Sequence, residues 1–320
     1  MPLLVAIVNY RTPELAVGCV RSLEQGIREF PGSKVVVADN ASGDGSPEII
    51  GRGIAEAGFG EWASLLALPR NGGFSYGNNQ IIRPALSSAN PPRYVWLLNP
   101  DTVAQPDAVR EAMRFMDEHP DVAIAGTRIE NPDGSVRRSA FRFPTVASEL
   151  ESGLRLGVVS RLLEDAIVAP EVSDRAGPTD WVSGASMIIR REVFESVGLF
   201  DEEYFLYFEE LDFCLQAHRA GFHCWYAPQS RVVHFVGQAS GVTGEKAGAR
   251  RRPGYWFDSR RRYFVKNHGP KAALLADVSW ASGCAVHRVL ELVRRRQRED
   301  PPLLLRDFVR HSVRAWSSGS

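Results

Sequence analysis

The amino-terminal part of the sequence is constrained above all by a regular alternation of short apolar runs with helix-forming stretches. The runs 3–10, 34–39, 64–68, 94–98 and 122–129 have the length of strands. Continuously apolar strands are typical of parallel sheets that are covered on both faces. Because strands that alternate with helices are joined by right-handed crossovers, the pattern predicts an α/β fold around a mostly parallel sheet.

The starts of the predicted helices carry their own signals. Thr12-Pro13-Glu14 and Ser46-Pro47-Glu48 each combine a capping residue, a proline and an acid in the order in which helices commonly begin. A further helix is predicted from about Pro106 to His119. Later in the chain a strand is expected at Trp181–Arg190, followed by a short helix and by another helix that ends at Ala220.

The ends of the first four strands supply the candidate ligand site. They read Asn9-Tyr10, Asp39-Asn40, Pro69 to Gly73 and Asn99 to Asp101, and three of the four are polar or acidic. In open α/β sheets, ligands bind beyond the carboxyl ends of the strands. We therefore expect the functional residues to meet at this edge.

The first turn lacks a glycine cradle for phosphates. A dinucleotide-binding fold would carry Gly-x-Gly-x-x-Gly where this sequence has Asn9 to Glu14, and no Walker loop occurs in the chain. A bound divalent metal is the other common way to neutralise a diphosphate. Asp101 is the leading candidate ligand; the alternative is an aspartate that serves only the Asn99-Pro100-Asp101 turn.

A second acidic candidate follows an aromatic segment. Tyr204–Phe208 leads directly into Glu209, Glu210 and Asp212 at the start of a predicted helix. Acids in a first turn are favoured by the helix dipole, which is the purely structural interpretation. The same arrangement also suits a sugar platform with a general base, because an apolar wall raises the pKa of a carboxyl group.

The carboxy-terminal part is basic. Residues 241–320 contain 17 Lys and Arg against 7 Asp and Glu, a balance of +10, whereas the whole chain of 320 residues has no net charge. The arginines of 250–252 and 260–262 either clamp phosphates or form a solvated surface. The helix predicted at Ala272–Val293, followed by Arg294–Arg298, resembles segments that rest on anionic membranes. No nucleic-acid-binding module is recognised, and no nucleic-acid partner is expected.

Cysteine usage and the chain start indicate a cytoplasmic protein, and the basic carboxy-terminal extension adds an expected peripheral contact at the cytoplasmic face of the membrane. The four cysteines are scattered without disulfide or zinc spacing, and no apolar run reaches membrane-spanning length. The first apolar stretch also lacks the features of a signal peptide.

Taken together, six motifs resemble the family 2 glycosyltransferases, and among them the bacterial rhamnosyltransferase-like members. The motifs are Val-Asn-Tyr at 8–10, Asp-Asn-Ala-Ser-Gly-Asp-Gly-Ser at 39–46, Asn-Gly-Gly-Phe-Ser-Tyr-Gly-Asn-Asn at 71–79, Leu-Asn-Pro-Asp at 98–101, Gly-Ala-Ser-Met-Ile-Ile-Arg-Arg at 184–191, and the segment 199–212. The resemblance implies a GT-A fold, Rossmann-like and built on a mixed, mostly parallel sheet. It also implies an inverting transfer of a sugar, such as rhamnose, from a nucleoside diphosphate to an acceptor hydroxyl.

The resemblance also implies roles for individual residues. It assigns the donor nucleotide to Asn9, Asp39 and Asn71, the metal to Asp101 and His234, the general base to Glu210 or Glu209, and the acceptor to Trp181 and Gly184. Gly73, Asn99 and Arg262 are further candidates for the donor site, and Asp212 is a further candidate for the acceptor site. The metal is expected to be Mg²⁺ or Mn²⁺, and the donor a dTDP- or UDP-linked sugar. Glu210 occupies a position where the family usually has aspartate. Asn99 replaces the aspartate with which the family's metal motif usually begins.

The expected organisation is a glycosyltransferase domain over 1–240 and a basic, mostly helical extension over 241–320. Within the domain, the nucleotide-sugar half covers about 1–130 and the acceptor half about 131–240. The acceptor is expected to be a glycan or a lipid-linked sugar in cell-surface polysaccharide or glycolipid synthesis. Two alternatives remain open, a non-catalytic sugar-binding protein of the same fold and a sugar nucleotidyltransferase.

Overall fold

The predicted apolar runs form strands in the computed structural model, which describes residues 1–235, 251–294 and 300–317. The strands are β1 (Leu3–Asn9), β2 (Lys34–Asp39), β3 (Ala63–Ala67), β4 (Tyr94–Leu98), β5 (Thr102–Ala104), β6 (Val122–Glu130), β7 (Val136–Arg137), β8 (Ala140–Phe141), β9 (Gly177–Thr179), β10 (Trp181–Val182), β11 (Ser186–Arg190) and β12 (His223–His234).

Helices alternate with these strands, and the described residues after β12 form helices. They are α1 (Pro13–Ser22), α2 (Glu24–Arg28), α3 (Ser46–Glu56), α4 (Gly73–Leu86), α5 (Ala108–Glu118), α6 (Val146–Leu154), α7 (Gly157–Leu162), a 3₁₀ turn (Glu164–Ala166), α8 (Arg191–Val197), α9 (Glu209–Arg219), α10 (Gly254–Val293) and α11 (Leu304–Ser317). None of the helices within the described ranges is long and apolar enough to cross a membrane.

The chain divides into two compact units. The first combines Met1–Phe141 with Glu171–Ser240, and the second combines Arg142–Pro170 with Gly241–Ser320. Residues 142–170 therefore belong to the same unit as the basic extension. The functional halves that the sequence predicts within 1–240 stay predictions.

The sheet of the first unit has the strand order β3-β2-β1-β4-β11-β6-β12-β5, with β7 beside β6 and β9 beside β12. Strands β3, β2, β1 and β4 are parallel to one another. Strand β11 runs antiparallel between β4 and β6, and β12 is parallel to β6. This mixed, mostly parallel sheet confirms the predicted fold class. Because β11 runs in reverse, it begins at the edge where β1, β2, β4 and β12 end.

One local prediction is wrong. The strand expected at Trp181–Arg190 is broken at residues 183–185, because β10 pairs with β8 in a separate ribbon while β11 pairs with β4 and β6. His234 is the last residue of β12, which lies between β6 and β5. The break matters for the site, since it leaves a non-strand turn at the carboxyl edge of the sheet.

The centre of the sheet is apolar on both faces but contains one short series of side-chain hydrogen bonds. All five residues of β4 are buried. Trp96 Nε1 donates to Ser186 Oγ at 3.0 Å, and Thr127 Oγ1 donates to the same oxygen at 2.6 Å. These bonds satisfy buried polar atoms on β4, β11 and β6 and so favour one pairing of the reversed strand.

In the second unit, α10 consists of two helices joined at Gly269, whose φ of 83° before Pro270 is non-helical. The helix after the kink, residues 270–293, is called the distal helix below. A Cβ on Gly153 of α6 would lie 2.7 Å from the carbonyl oxygen of Trp280, and one on Gly283 would lie 2.9 Å from the nitrogen of Leu154. Glycine at both positions therefore allows the two helix backbones to touch.

A buried arginine ties the helices of the second unit together. Arg260 is 2% exposed; its Nη2 donates to Glu149 Oε2 at 2.6 Å, and its Nη1 donates to Asp277 Oδ1. Asp277 Oδ2 also accepts from Trp316 Nε1 at 3.1 Å. Arg260 is therefore a structural residue, and its predicted place in a phosphate clamp is wrong.

The other arginines of the predicted clamps differ in their surroundings. Arg251 makes a two-bond pair with Asp307 at 2.7 and 2.8 Å. Arg250 lies outside the described residues. Arg262 is half-buried on α10, and its role in donor binding stays a prediction.

Replacing Arg260 by methionine should destabilise the second unit by about 3–5 kcal/mol, because two buried carboxylates lose their cation. The measurement is urea unfolding of the full chain. The control is Arg251→Ala, which removes an exposed pair and should cost less than about 1 kcal/mol. Equal losses from the two variants would contradict the central place given to Arg260.

Candidate active site

The site begins with a buried polar cluster at the ends of β1 and β2. Asn9 Nδ2 donates to Asp39 Oδ1 at 2.8 Å, and Ser42 Oγ donates to the same oxygen at 2.6 Å. The backbone nitrogen of Ser42 donates to Asp39 Oδ2 at 3.1 Å. Asp39 is 1% exposed and has accepting capacity beyond these three bonds. The cluster thus holds a fixed carboxylate at the predicted nucleoside position.

The neighbouring loop after β3 is organised by Asn40. Its Nδ2 donates to Asn71 Oδ1 and to the carbonyl oxygen of Gly73, both at 3.0 Å. Its Oδ1 accepts from the nitrogen of Gly72 at 3.3 Å. The structure therefore brings Asn9, Asp39 and Asn71 to one edge, as predicted, with Asn40 connecting β2 to the loop.

Gly73 brings the aromatic segment Tyr204–Phe208 against this loop. Its φ is 84°, and a Cβ there would lie only 1.9 Å from the carbonyl oxygen of Phe205. That oxygen accepts a hydrogen bond of 2.8 Å from the nitrogen of Phe74. The close neighbour of Gly73 is thus a second protein segment, whereas the sequence predicted a ligand; its part in donor binding stays a prediction.

The segment that leads into α9 is strained. Tyr207 and Phe208 both have left-handed backbones, with φ of 73° and 70°. Bulky residues rarely adopt this conformation, which costs on the order of 1–3 kcal/mol each. Such strain persists only where surrounding contacts enforce it, here immediately before Glu209 and Glu210 at the start of α9.

A short turn before β11 lies beside both acidic candidates. A Cβ on Gly184 would lie 3.5 Å from the Cβ of Glu210, and the backbone of Gly184 acts to lower the pKa of that carboxyl group. The next carbonyl, that of Ala185, accepts from the nitrogen of Asn99 at 3.0 Å. Residues 184–185 therefore lie between Glu210, the predicted base, and Asn99, the first residue of the predicted metal motif.

The metal motif contains a carboxylate and an imidazole in direct contact. His234 Nε2 lies 3.0 Å from Asp101 Oδ1 and 3.4 Å from Asn99 Nδ2. No group of three or more His, Cys, Asp or Glu side chains arranged for a metal occurs among the described residues. The pair nevertheless fits Mg²⁺ or Mn²⁺, which commonly take one or two protein ligands and complete their shell with phosphate oxygens and water.

Glu209 and Glu210 differ in environment although they are adjacent. Burial raises the pKa of Glu209 well above its usual range, and the charge of Glu210 raises it further. Burial also raises the pKa of Glu210, but backbone N–H groups, among them those of Gly184 and Leu211, act in the opposite direction. These donors stabilise the anion of Glu210.

The predicted acceptor residues Trp181 and Asp212 belong to the same unit. The half-buried ring of Trp181 stacks on Phe141, with centroids 4.3 Å apart. Asp212 is 3% exposed, and Gln216 Nε2 donates to its Oδ1 at 3.4 Å. Their roles towards an acceptor stay predictions.

The sequence reasoning missed Asn79, which fixes the chain before the aromatic segment. Its Nδ2 donates to the carbonyl oxygen of Phe200 at 2.8 Å and to Glu202 Oε1 at 2.9 Å. Its Oδ1 accepts from the nitrogen of Phe200 at 3.1 Å. The only sequence signal was its place as the last residue of the glycine-rich motif at 71–79.

Comparison with known proteins agrees with this geometry. The family described as "Glycosyltransferase like family 2" matches residues 2–254. The chain belongs to this family. As a family 2 glycosyltransferase it is an enzyme of sugar transfer, and the match favours this class over the nucleotidyltransferases and the non-catalytic proteins that the sequence left open.

Two curated relatives and one solved structure illustrate the range of the family. An N-acetylglucosaminyl-diphospho-decaprenol L-rhamnosyltransferase of Mycobacterium tuberculosis is 26% identical over 65% of this chain and 68% of its own length. The low-salt glycan biosynthesis hexosyltransferase Agl10 of Haloferax volcanii is 29% identical over 72% of this chain and 66% of its own.

The solved structure is a mannosyltransferase of Pyrobaculum calidifontis in complex with GDP-Man and Mn²⁺. It aligns with a TM-score of 0.58 at 15% identity, covering 92% of this chain and 74% of that protein. At this identity the similarity shows the fold alone, and it confirms the GT-A fold of this family 2 glycosyltransferase.

Replacing Asn79 by alanine should loosen the chain from Phe200 into the aromatic segment, because three hydrogen bonds are lost. We expect faster amide hydrogen exchange from Phe200 to the start of α9 and a loss of stability of about 1–3 kcal/mol. The control is Arg83→Ala, which removes only an exposed 3.4 Å pair with Glu202. Unchanged exchange in the Asn79 variant would show that the segment is held by other contacts.

Proposed function

We propose that this enzyme transfers a sugar from a nucleoside diphosphate to an acceptor hydroxyl in a single displacement that inverts the anomeric centre. The observation that carries the proposal is the turn at residues 184–185. Gly184 lies against Glu210, because a Cβ on this glycine would lie 3.5 Å from the Cβ of Glu210, and the carbonyl oxygen of Ala185 accepts from the nitrogen of Asn99. A base and a diphosphate site that share this turn suit an attack from the face opposite the leaving group.

Glu210 is the proposed general base. Its carboxylate accepts the proton of the acceptor hydroxyl while the hydroxyl oxygen bonds to the anomeric carbon and the bond to the diphosphate breaks. Its raised pKa makes it a stronger base than an exposed glutamate, and backbone donors stabilise its anion. Glu209 is the adjacent carboxyl group at the start of α9.

Asp101 and His234 are the residues proposed to hold the divalent metal, and Asn99 lies beside them. When bound, Mg²⁺ or Mn²⁺ supplies positive charge for the departing diphosphate. The carboxylate of Asp101 is buried and positioned by the backbone, since its carbonyl oxygen accepts from the nitrogen of Phe235 at 2.8 Å. The pair is therefore fixed before any ligand binds.

The donor nucleotide is proposed to bind along the ends of β1, β2 and β3. Asp39 offers accepting oxygens to the base or ribose, and Asn9 and Asn71 line the same edge. We propose a dTDP- or UDP-linked sugar as donor, with rhamnose first among the candidates because of the relative from Mycobacterium tuberculosis.

The acceptor is proposed to bind near Trp181, Gly184 and Asp212. A lipid-linked sugar diphosphate is the favoured class, since the same relative is named for a decaprenol-linked acceptor. Such an acceptor places the enzyme in the cytoplasm, at the membrane face where nucleotide sugars are available.

Replacing Glu210 by glutamine should lower turnover by about 10²–10⁴ while donor binding is kept, because the general base is lost and the shape is conserved. Release of nucleoside diphosphate from a panel of dTDP- and UDP-sugars measures turnover, and thermal stabilisation by the donor measures binding. Glu209→Gln should cost clearly less. A reversed order of the two variants would move the base to Glu209.

The raised pKa of Glu210 also predicts a pH profile. The base acts only when ionised, so kcat/KM should fall as the pH drops through the raised pKa, above the 4.5 of an ordinary glutamate. Activity that stays level down to that value would contradict the assignment.

Replacing Asp101 by asparagine should weaken metal binding, because the carboxylate charge is removed while the size is kept. The measurement is thermal stabilisation by Mn²⁺ together with UDP, which does not depend on turnover. We expect a loss of most of the Mn²⁺-dependent shift. Asp133→Asn, at an exposed turn, is the matched control and should leave the shift unchanged.

A further inference from the structure

The distal helix, residues 270–293, has apolar residues on two opposite sides. One side is buried within the second unit and contains Ala273, Ala276, Trp280, Gly283 and Cys284. It packs with Phe257 of α10 and with Leu304 and Phe308 of α11. This side is already occupied by protein.

The opposite side is exposed and is also apolar. Its large residues are Leu274, Leu275, Val278, Val286, Val289, Leu292 and Val293, and we call them the outer stripe. They recur at helical spacing over about 20 residues, or roughly 30 Å of helix. Leu275 and Val289 are 58% and 59% exposed. A helix that is apolar on both sides normally has a partner on each.

The charges along the distal helix indicate what that partner is. Every charged residue that the structure leaves exposed within 270–294 is basic, namely Lys271 and Arg294. The acids in this range are not exposed, because Asp277 is buried and Glu291 is partly buried. The sequence adds Arg295, Arg296 and Arg298, which lie outside the described residues.

We infer that the outer stripe is the surface by which this enzyme rests on an anionic membrane. Its apolar side chains enter the boundary between headgroups and acyl chains, and Lys271 and Arg294 at the two ends of the helix meet anionic headgroups. The distal helix lies in the plane of the membrane, because its other side is packed against α6 and α11. This inference rests on the proposed function, because a membrane-binding surface would bring the enzyme to a lipid-linked acceptor.

Co-sedimentation of the full chain with vesicles of phosphatidylglycerol and phosphatidylcholine tests the surface. The triple variant Leu275→Gln, Val278→Gln and Val289→Gln removes apolar area from the stripe while keeping good helix formers. We expect its partition onto vesicles to fall at least about ten-fold. The matched control is the pair Val158→Gln and Leu162→Gln on α7, exposed by 73% and 79%, which should bind like the parent.

Three results would overturn the inference: a parent that does not bind, a triple variant that binds like the parent, or a control pair that binds as weakly as the triple variant. A parent that is dimeric and ignores vesicles, with a monomeric triple variant, would make the stripe a self-association surface. Transfer to a water-soluble acceptor should be the same in the parent and the triple variant. Absence of transfer by both, with vesicle binding intact, would count against the proposed function and leave the membrane surface standing.

Discussion

The structure depends on the direction of β11, a reversed strand in the middle of a mostly parallel sheet. Because β11 enters between β4 and β6 in the opposite direction, its first residues lie where its neighbours end. The turn before it therefore reaches the carboxyl edge of the parallel strands, where Gly184 lies against Glu210 and the carbonyl oxygen of Ala185 accepts from the nitrogen of Asn99.

The sequence predicted the parallel strands and the polar residues that follow them, because apolar runs and the residues beyond them are local signals. It did not predict the reversal of β11, since a short apolar strand has the same appearance in either direction. The break at 183–185 was missed for a related reason: only the different pairing partners of β10 and β11 separate them. Asn40 and Asn79 were missed because their hydrogen-bond partners lie 31 to 123 positions away.

The arginines of the second unit also have partners that the local sequence does not reveal. A run of three at 260–262 has the composition of a phosphate clamp, yet Arg260 is enclosed between Glu149 and Asp277. Glu149 is 111 positions distant, and no local pattern connects the two. Whether such an arginine is buried or exposed decides its role. Its burial depends on how the helices pack, which the local sequence does not show. The adjacent distal helix shows the opposite, because several of its large apolar side chains are exposed to solvent.

The contact between Gly73 and Phe205 has a consequence for how this sequence is able to diverge. A methyl group at position 73 would overlap the carbonyl oxygen of Phe205, which belongs to the chain that leads into Glu210. Positions 73 and 205 therefore constrain each other, although they lie 132 positions apart in the chain. A variant with alanine at 73 must also re-route the peptide after Tyr204. One missing side chain thus fixes the path of a distant stretch of backbone.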